Sequence, residues 1–145
     1  KGEQTQGYCL EQLALMQNNE GLCANISVEY WRDNCHYHLG VSNRDEDLCS
    51  RIGDRKQKQD CFHEVALASN NALLCDELEE KERRSCLVKI AVSSRDISLC
   101  DRMDTPLGAD ACRLKVAKET RQPLFCDSIK YSSIKEICRA DFSEN

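Results

Sequence analysis

Proline and glycine are scarce in this chain of 145 residues: there are two prolines and six glycines, and aromatic residues make up 6%. So few turn formers, with charged residues throughout, disfavour collagen-like, low-complexity and most all-β designs. No apolar run approaches the roughly 18 residues needed to cross a bilayer. A basic excess is also missing. Twenty Lys and Arg stand against 25 Asp and Glu, and a net charge of −5 argues against a nucleic-acid surface.

Chemistry-bearing motifs are equally sparse. The chain has no CxxC, CxxCH, GxSxG or HExxH and no glycine-rich phosphate loop. Its three histidines are His36, His38 and His63. The first two are two residues apart and diverge on a helix, whereas helical zinc pairs sit at i and i+4. They read as packing or surface residues, and no metal or cofactor is expected. Carboxylates are plentiful, but nothing singles out a general acid and its base. The mixed-charge run 76–84 reads as a solvated face. The expectation is a protein that is not an enzyme.

Eleven cysteines are what the chain does have, at 9, 23, 35, 49, 61, 75, 86, 100, 112, 126 and 138. Without metal or redox motifs, so many thiols point to disulfides and an oxidising compartment. A start at Lys1, with no Met and no leader, fits a processed secreted protein. The expected location is secreted, extracellular or periplasmic.

The cysteine gaps run 14, 12, 14, 12, 14, 11, 14, 12, 14, 12, which makes a repeat of about 26 residues. One set, Cys9, Cys35, Cys61, Cys86, Cys112 and Cys138, we name B. Four residues after each B cysteine comes an apolar residue: Leu13, Leu39, Val65, Ile90, Val116, Phe142. Five after comes a small one: Ala14, Gly40, Ala66, Ala91, Ala117, Ser143. The other set, A, follows a large apolar residue in every case: Leu22, Leu48, Leu74, Leu99, Phe125. Three residues on comes another: Ile26, Ile52, Leu78, Met103, Ile129. Spacings of three and four put these side chains on one helical face, and the small column lets another helix come close.

The A helix is expected to run eight to ten residues and the B helix twelve to fourteen. Turn and cap residues lie between them at Asn18-Asn19-Glu20, Asn43-Arg44-Asp45, Asn70-Asn71 and Ser94-Arg95-Asp96. Pro123 suits the first turn of the last A helix, and Thr105-Pro106 an N-cap and first helical residue. Ser133-x-x-Glu136 reads as a capping box. The predicted architecture is all-α: a solenoid, right-handed and superhelical, of about five disulfide-stapled hairpins after a lone N-terminal helix. It forms a single domain over 1-145, with the lone helix at 5-18 and hairpins at about 19-43, 44-69, 70-94, 95-120 and 121-145.

Two regular pairings exist. The first joins each A cysteine to the next B: Cys23–Cys35, Cys49–Cys61, Cys75–Cys86, Cys100–Cys112 and Cys126–Cys138, leaving Cys9. The second joins B to the next A and leaves Cys138. Antiparallel helices pair residues equally distant from their turn, which favours the first, although the constant gap of 14 argues for the second. An odd cysteine in a secreted chain is a free thiol or an intermolecular link.

This pattern, over residues 9 to 142, resembles disulfide-stapled α/α repeat proteins, among them the Sel1-like cysteine-rich proteins of secreted bacterial type. There too, two cysteines per repeat pin a helical hairpin. The period of about 26 is shorter than that family's, and the cysteines are further apart. The pattern also looks like LC-x-x-I … C-x-x-x-[LV]-A repeats of secreted archaeal and bacterial type. The resemblance implies binding or scaffolding rather than catalysis.

Candidate contact residues follow from the columns. Four before the B cysteine, the middle repeats carry Gln57, Glu82 and Gly108, which marks an exposed position. Trp31 occupies it in the first full repeat and Ile134 in the last. Tyr30 and Tyr37 flank Trp31, and exposed Trp and Tyr anchor interfaces. The first helix carries Leu10, Leu13, Leu15 and Met16, the last Ile134, Ile137 and Phe142. Such uncapped ends allow head-to-tail stacking, which Cys9 would lock. Asn25-Ile26-Ser27 is a glycosylation sequon, so Asn25 is a possible glycan site. The expected function is a non-catalytic extracellular scaffold for a protein partner, the alternative a self-assembling subunit of a filament or surface layer.

Overall fold

The computed structural model describes residues 1–143. Among the described residues every element is helical. The chain forms two compact units, Lys1–Glu79 and Glu80–Asn145. The division falls inside the hairpin expected over 70-94. Glu144 and Asn145, at the end of the last expected hairpin, lie outside the described residues.

The first unit contains α1 (Gly2–Gln17), α2 (Glu20–Ala24), α3 (Glu29–Asn43), α4 (Glu46–Ser50), α5 (Arg55–Ser69) and a 3-10 segment, Ala72–Glu77. The second contains α6 (Glu80–Ser94), 3-10 segment Ile97–Arg102, α7 (Pro106–Thr120), 3-10 segment Pro123–Ser128 and α8 (Ser132–Ser143). Long and short helices alternate as the repeat predicts. The short ones span five or six residues rather than eight to ten. The reason is local. The apolar residue three after the A cysteine must turn inward, and its N–H closes an i→i−3 bond onto the cysteine carbonyl, as Ile26 does on Cys23 at 3.1 Å. That tight turn ends the helix.

Each long helix from α1 to α7 stops at a residue with positive φ: Asn18, Arg44, Asn70, Arg95 and Arg121, at 49–56°. The next residue donates its N–H to the small-column carbonyl five positions back, from Asn19→Ala14 at 2.9 Å to Gln122→Ala117 at 3.0 Å. This is a Schellman stop. The donor is in turn the N-cap of the short helix, and Asn19, Asp45, Asn71 and Asp96 each accept a backbone N–H two residues on. A β-branched residue tolerates positive φ badly. Arg95→Val is therefore expected to lower the melting temperature by several degrees, a loss of about 1–2 kcal/mol, while Arg95→Gly does not. Thermal melts of the two variants decide it. Thr105 caps α7 through the Gly108 N–H, with Pro106 first in the helix. The capping box does not form as expected. α8 begins at Ser132, so Ser133 lies inside the first turn rather than at its cap.

The structure joins Cys23–Cys35, Cys49–Cys61, Cys100–Cys112 and Cys126–Cys138, each with Cα atoms 5.5–5.7 Å apart. Cys75 and Cys86 are likewise disulfide-bonded. Cys9 is a free, exposed thiol. The bridges lie inside the cores, and all ten bonded cysteines are buried. In the first unit Ala14, Cys23, Ile26, Cys35, Leu39 and Leu48 form one cluster. Clusters in the second unit surround Cys100–Cys112 and Cys126–Cys138. The small column is buried from Ala14 to Ala117. A Cβ on Gly40 would meet Cys61 Sγ at 3.2 Å and Leu48 Cβ at 3.3 Å, so this member is glycine by close approach.

Successive repeats within each unit are tied by a position two before the B cysteine. The fully buried Asp110 accepts the N–H groups of Lys130 (2.9 Å) and Tyr131 (2.7 Å). Asp33 accepts those of Gly53 (3.1 Å) and Asp54 (2.9 Å). Gln59 donates to Glu77 O at 2.9 Å and accepts from Glu79 N at 2.8 Å. Arg83, one position earlier in its repeat, donates to Arg102 O at 3.1 Å and pairs with Asp104. In each case a side chain of one long helix holds the turn that leads into the next.

Candidate interaction surface

The first helix supplies no such tie. Its equivalent residue is Gly7, and the space goes to Trp31. A Cβ at position 7 would lie 2.6 Å from Trp31 Cδ1. The indole N–H donates to Gln4 Oε1 at 2.8 Å. Tyr8 and Tyr30 meet the Trp31 ring edge-on, with centroids 5.4 and 5.0 Å away, a favoured aromatic geometry. Trp31 is half-buried and packs on the core of the first unit. Tyr30 is 63% and Tyr8 49% exposed. The indole is thus a fixed base that presents two phenol rings to solvent. Tyr8 was missed in the sequence because its contact with Trp31 spans two repeats.

Trp31 is the chain's only tryptophan, so its fluorescence reads this patch alone. Gly7→Ala is expected to push the ring outward, shifting its emission to longer wavelength and lowering stability by about 1–3 kcal/mol through overpacking. An unchanged emission maximum would mean that the ring does not rest on Gly7.

Tyr37 is not part of the cluster. It stands half-buried on α3, edge-on to His38 at 5.4 Å. Burial first, then Glu64 and Asp60 of α5, push its hydroxyl pKa above the ordinary value. The end-helix residues also sort differently from expectation. Leu13 is 40% exposed on α1, beside the more exposed Met16. Ile134 and Phe142 instead turn inward onto Ala117, Cys126, Ile129 and Cys138. The outward apolar residue of α8 is Ile137. Asn25 is exposed at the end of α2, with Ile26 buried after it.

Tyr30 also borders an open groove of about 600 Å³ in the first unit, with Glu29, Asp33, Asn34, Lys56 and Asp60 along it. Four carboxylates, counting Asp54, face this groove against the single lysine. A groove of similar size in the second unit is mixed in sign, with Asp101 and Asp104 opposite Arg113 and Lys130. Among the described residues no group of His, Cys, Asp and Glu could hold a metal ion. Nor is any helix among them long and apolar enough to cross a membrane. Ten disulfide-bonded cysteines fit a non-cytoplasmic, oxidising compartment.

The fold and this surface define a small disulfide-rich helical-repeat protein. No protein-family model, curated protein or solved structure matches the chain.

Proposed function

We propose that the protein is a non-catalytic extracellular scaffold that binds a protein partner through the Tyr8–Tyr30–Trp31 patch. The supporting observation is the clamped indole beneath two exposed phenols. Rigid aromatic anchors of this kind lose little side-chain entropy on binding. The groove beside Tyr30 adds a preference for a partner with a Lys or Arg next to its apolar contact. The Sel1-like resemblance supports the same reading.

A labelled partner from the producing organism's extracellular material is expected to cross-link to the wild-type protein and quench Trp31. Tyr8→Ser/Tyr30→Ser is expected to weaken that binding at least about tenfold, the loss typical of one or more interface anchors. Equal binding by both forms would remove the patch as the contact site.

A second reading is a self-assembling subunit of a filament or surface layer. In its favour, Cys9, Leu13 and Met16 are exposed on α1 at helical spacing, and Ile137 is exposed on α8. Light scattering with and without reductant separates the two. Rods that dissociate on reduction support the second reading, and a 16.5 kDa particle in both conditions supports the first.

A further inference from the structure

His36 is 4% exposed, and neither ring nitrogen finds a hydrogen-bond partner. It occupies the position one after the B cysteine. The same position carries Phe62 and Leu87 in the next two repeats and Arg113 in the one after. Arg113 is satisfied from two sides: it donates to Asp110 at 2.6 Å and pairs with Asp101, the residue after an A cysteine. In the His36 repeat the residue after the A cysteine is Ala24, so the second acceptor is missing. The first is present but turned wholly to its turn: Gly53 N–H reaches both Asp33 oxygens and Asp54 N–H reaches Oδ2, whereas Asp110 gives only Oδ2 to its turn and keeps Oδ1 for Arg113.

We propose that His36 is a proton-sensitive control on this tie. Protonation of the ring in mildly acidic surroundings loosens Asp33 from the Gly53–Asp54 turn and opens the first unit, while the second unit, built around Arg113, stays closed. An imidazolium carries two N–H donors. It either stays buried and unpaired, or draws Asp33, three residues earlier on α3, away from the turn. Both outcomes destabilise the first unit.

The surrounding charges set the direction. On α3 itself Arg32 opposes protonation and Asp33 favours it. Arg51, at the end of α4, opposes it, and Glu20 of α2 favours it. Glu20 is already turned to Arg51 at 3.8 Å. Glu11 of α1 lies against His38, and Lys56, Asp60 and Glu64 of α5 act on Tyr37. Burial first, then Arg51, hold the His36 pKa below its ordinary value. For a group depressed in the fold, stability is complete above the unfolded value of about 6.5 and is lost as pH falls through the folded value.

Amide exchange of the oxidised full chain tests this, with rates corrected for the intrinsic effect of pH. Between about pH 7.5 and about pH 5, protection at Gly53 and Asp54 is expected to fall several-fold. Protection at Lys130 and Tyr131, held by Asp110, is expected to stay constant. His36→Phe, which copies Phe62 of the next repeat, is expected to abolish the fall. Should that variant not fold, the ring resonances of wild-type His36 serve instead, with an expected midpoint below about 6.5. Constant protection at Gly53 and Asp54, an undiminished fall in His36→Phe, or a higher ring midpoint would each overturn the proposal.

Discussion

Full reduction is expected to abolish cooperative melting at room temperature. Cys23–Cys35, Cys49–Cys61, Cys100–Cys112 and Cys126–Cys138 each close a 12-residue separation, worth about 3 kcal/mol in the chain-entropy account. All ten bonded cysteines contribute, and domains of this size are stable by only about 5–15 kcal/mol in total. Around Cys23–Cys35, Cys100–Cys112 and Cys126–Cys138 the buried clusters hold four to six residues, half or more of them small cysteines and alanines. Reduction therefore removes the cross-links and leaves, in these clusters, mostly small side chains to hold the helices together. Far-UV circular dichroism, with alkylation and intact mass to count thiols, measures this. A fully alkylated chain that kept its helical signal and its transition would show that helix packing alone holds the fold.

Asp110→Ala carries the largest expected effect of a single substitution. The carboxylate is fully buried and serves three donors, namely two backbone N–H groups and the Arg113 guanidinium. Its removal strands both amides and leaves a buried cation with only the exposed Asp101. The expected loss is about 3–5 kcal/mol, read as a lower denaturant midpoint. Asp110→Asn keeps an acceptor for the amides and is expected to lose less. The acid limb gives a second readout. Burial alone would raise the Asp110 pKa, but the Tyr131 and Lys130 amides and Arg113 outweigh it and hold the carboxyl below its ordinary value. The associated stability is present above the unfolded value of about 3.9 and disappears as pH falls through the folded one. Asp110→Asn should flatten that limb. Equal midpoints for wild type and Asp110→Ala would mean that the turn at Lys130 needs no side-chain acceptor.

The cysteine gaps, the small column and the Asx caps were legible because each is local and recurs at a fixed offset. Asn19, Asp45, Asn71 and Asp96 do the same job at the same place. The ties between repeats were not legible. Their residue type changes from Asp33 to Gln59 to Arg83 to Asp110, and much of what they hold is backbone, which leaves no mark in a sequence. Residue type also misplaced the ends, because Ile134 facing the core and Ile137 facing solvent read alike until the phase of α8 is known. The Trp31 patch was half legible: its position in the repeat marked it, but its support is an absence of side chain, at Gly7.

The Schellman stops also leave little for a protease to grip. In each of them a single left-handed residue separates one helix from the cap of the next. A protease must draw several extended residues into its cleft, and exposed loop tips are where it normally finds them. Twenty Lys and Arg offer trypsin ample sequence, yet these connections offer almost no slack backbone. Cleavage at these stops then has to wait for a helix to open. In an oxidising compartment these stops would stay shut for as long as the cross-links do.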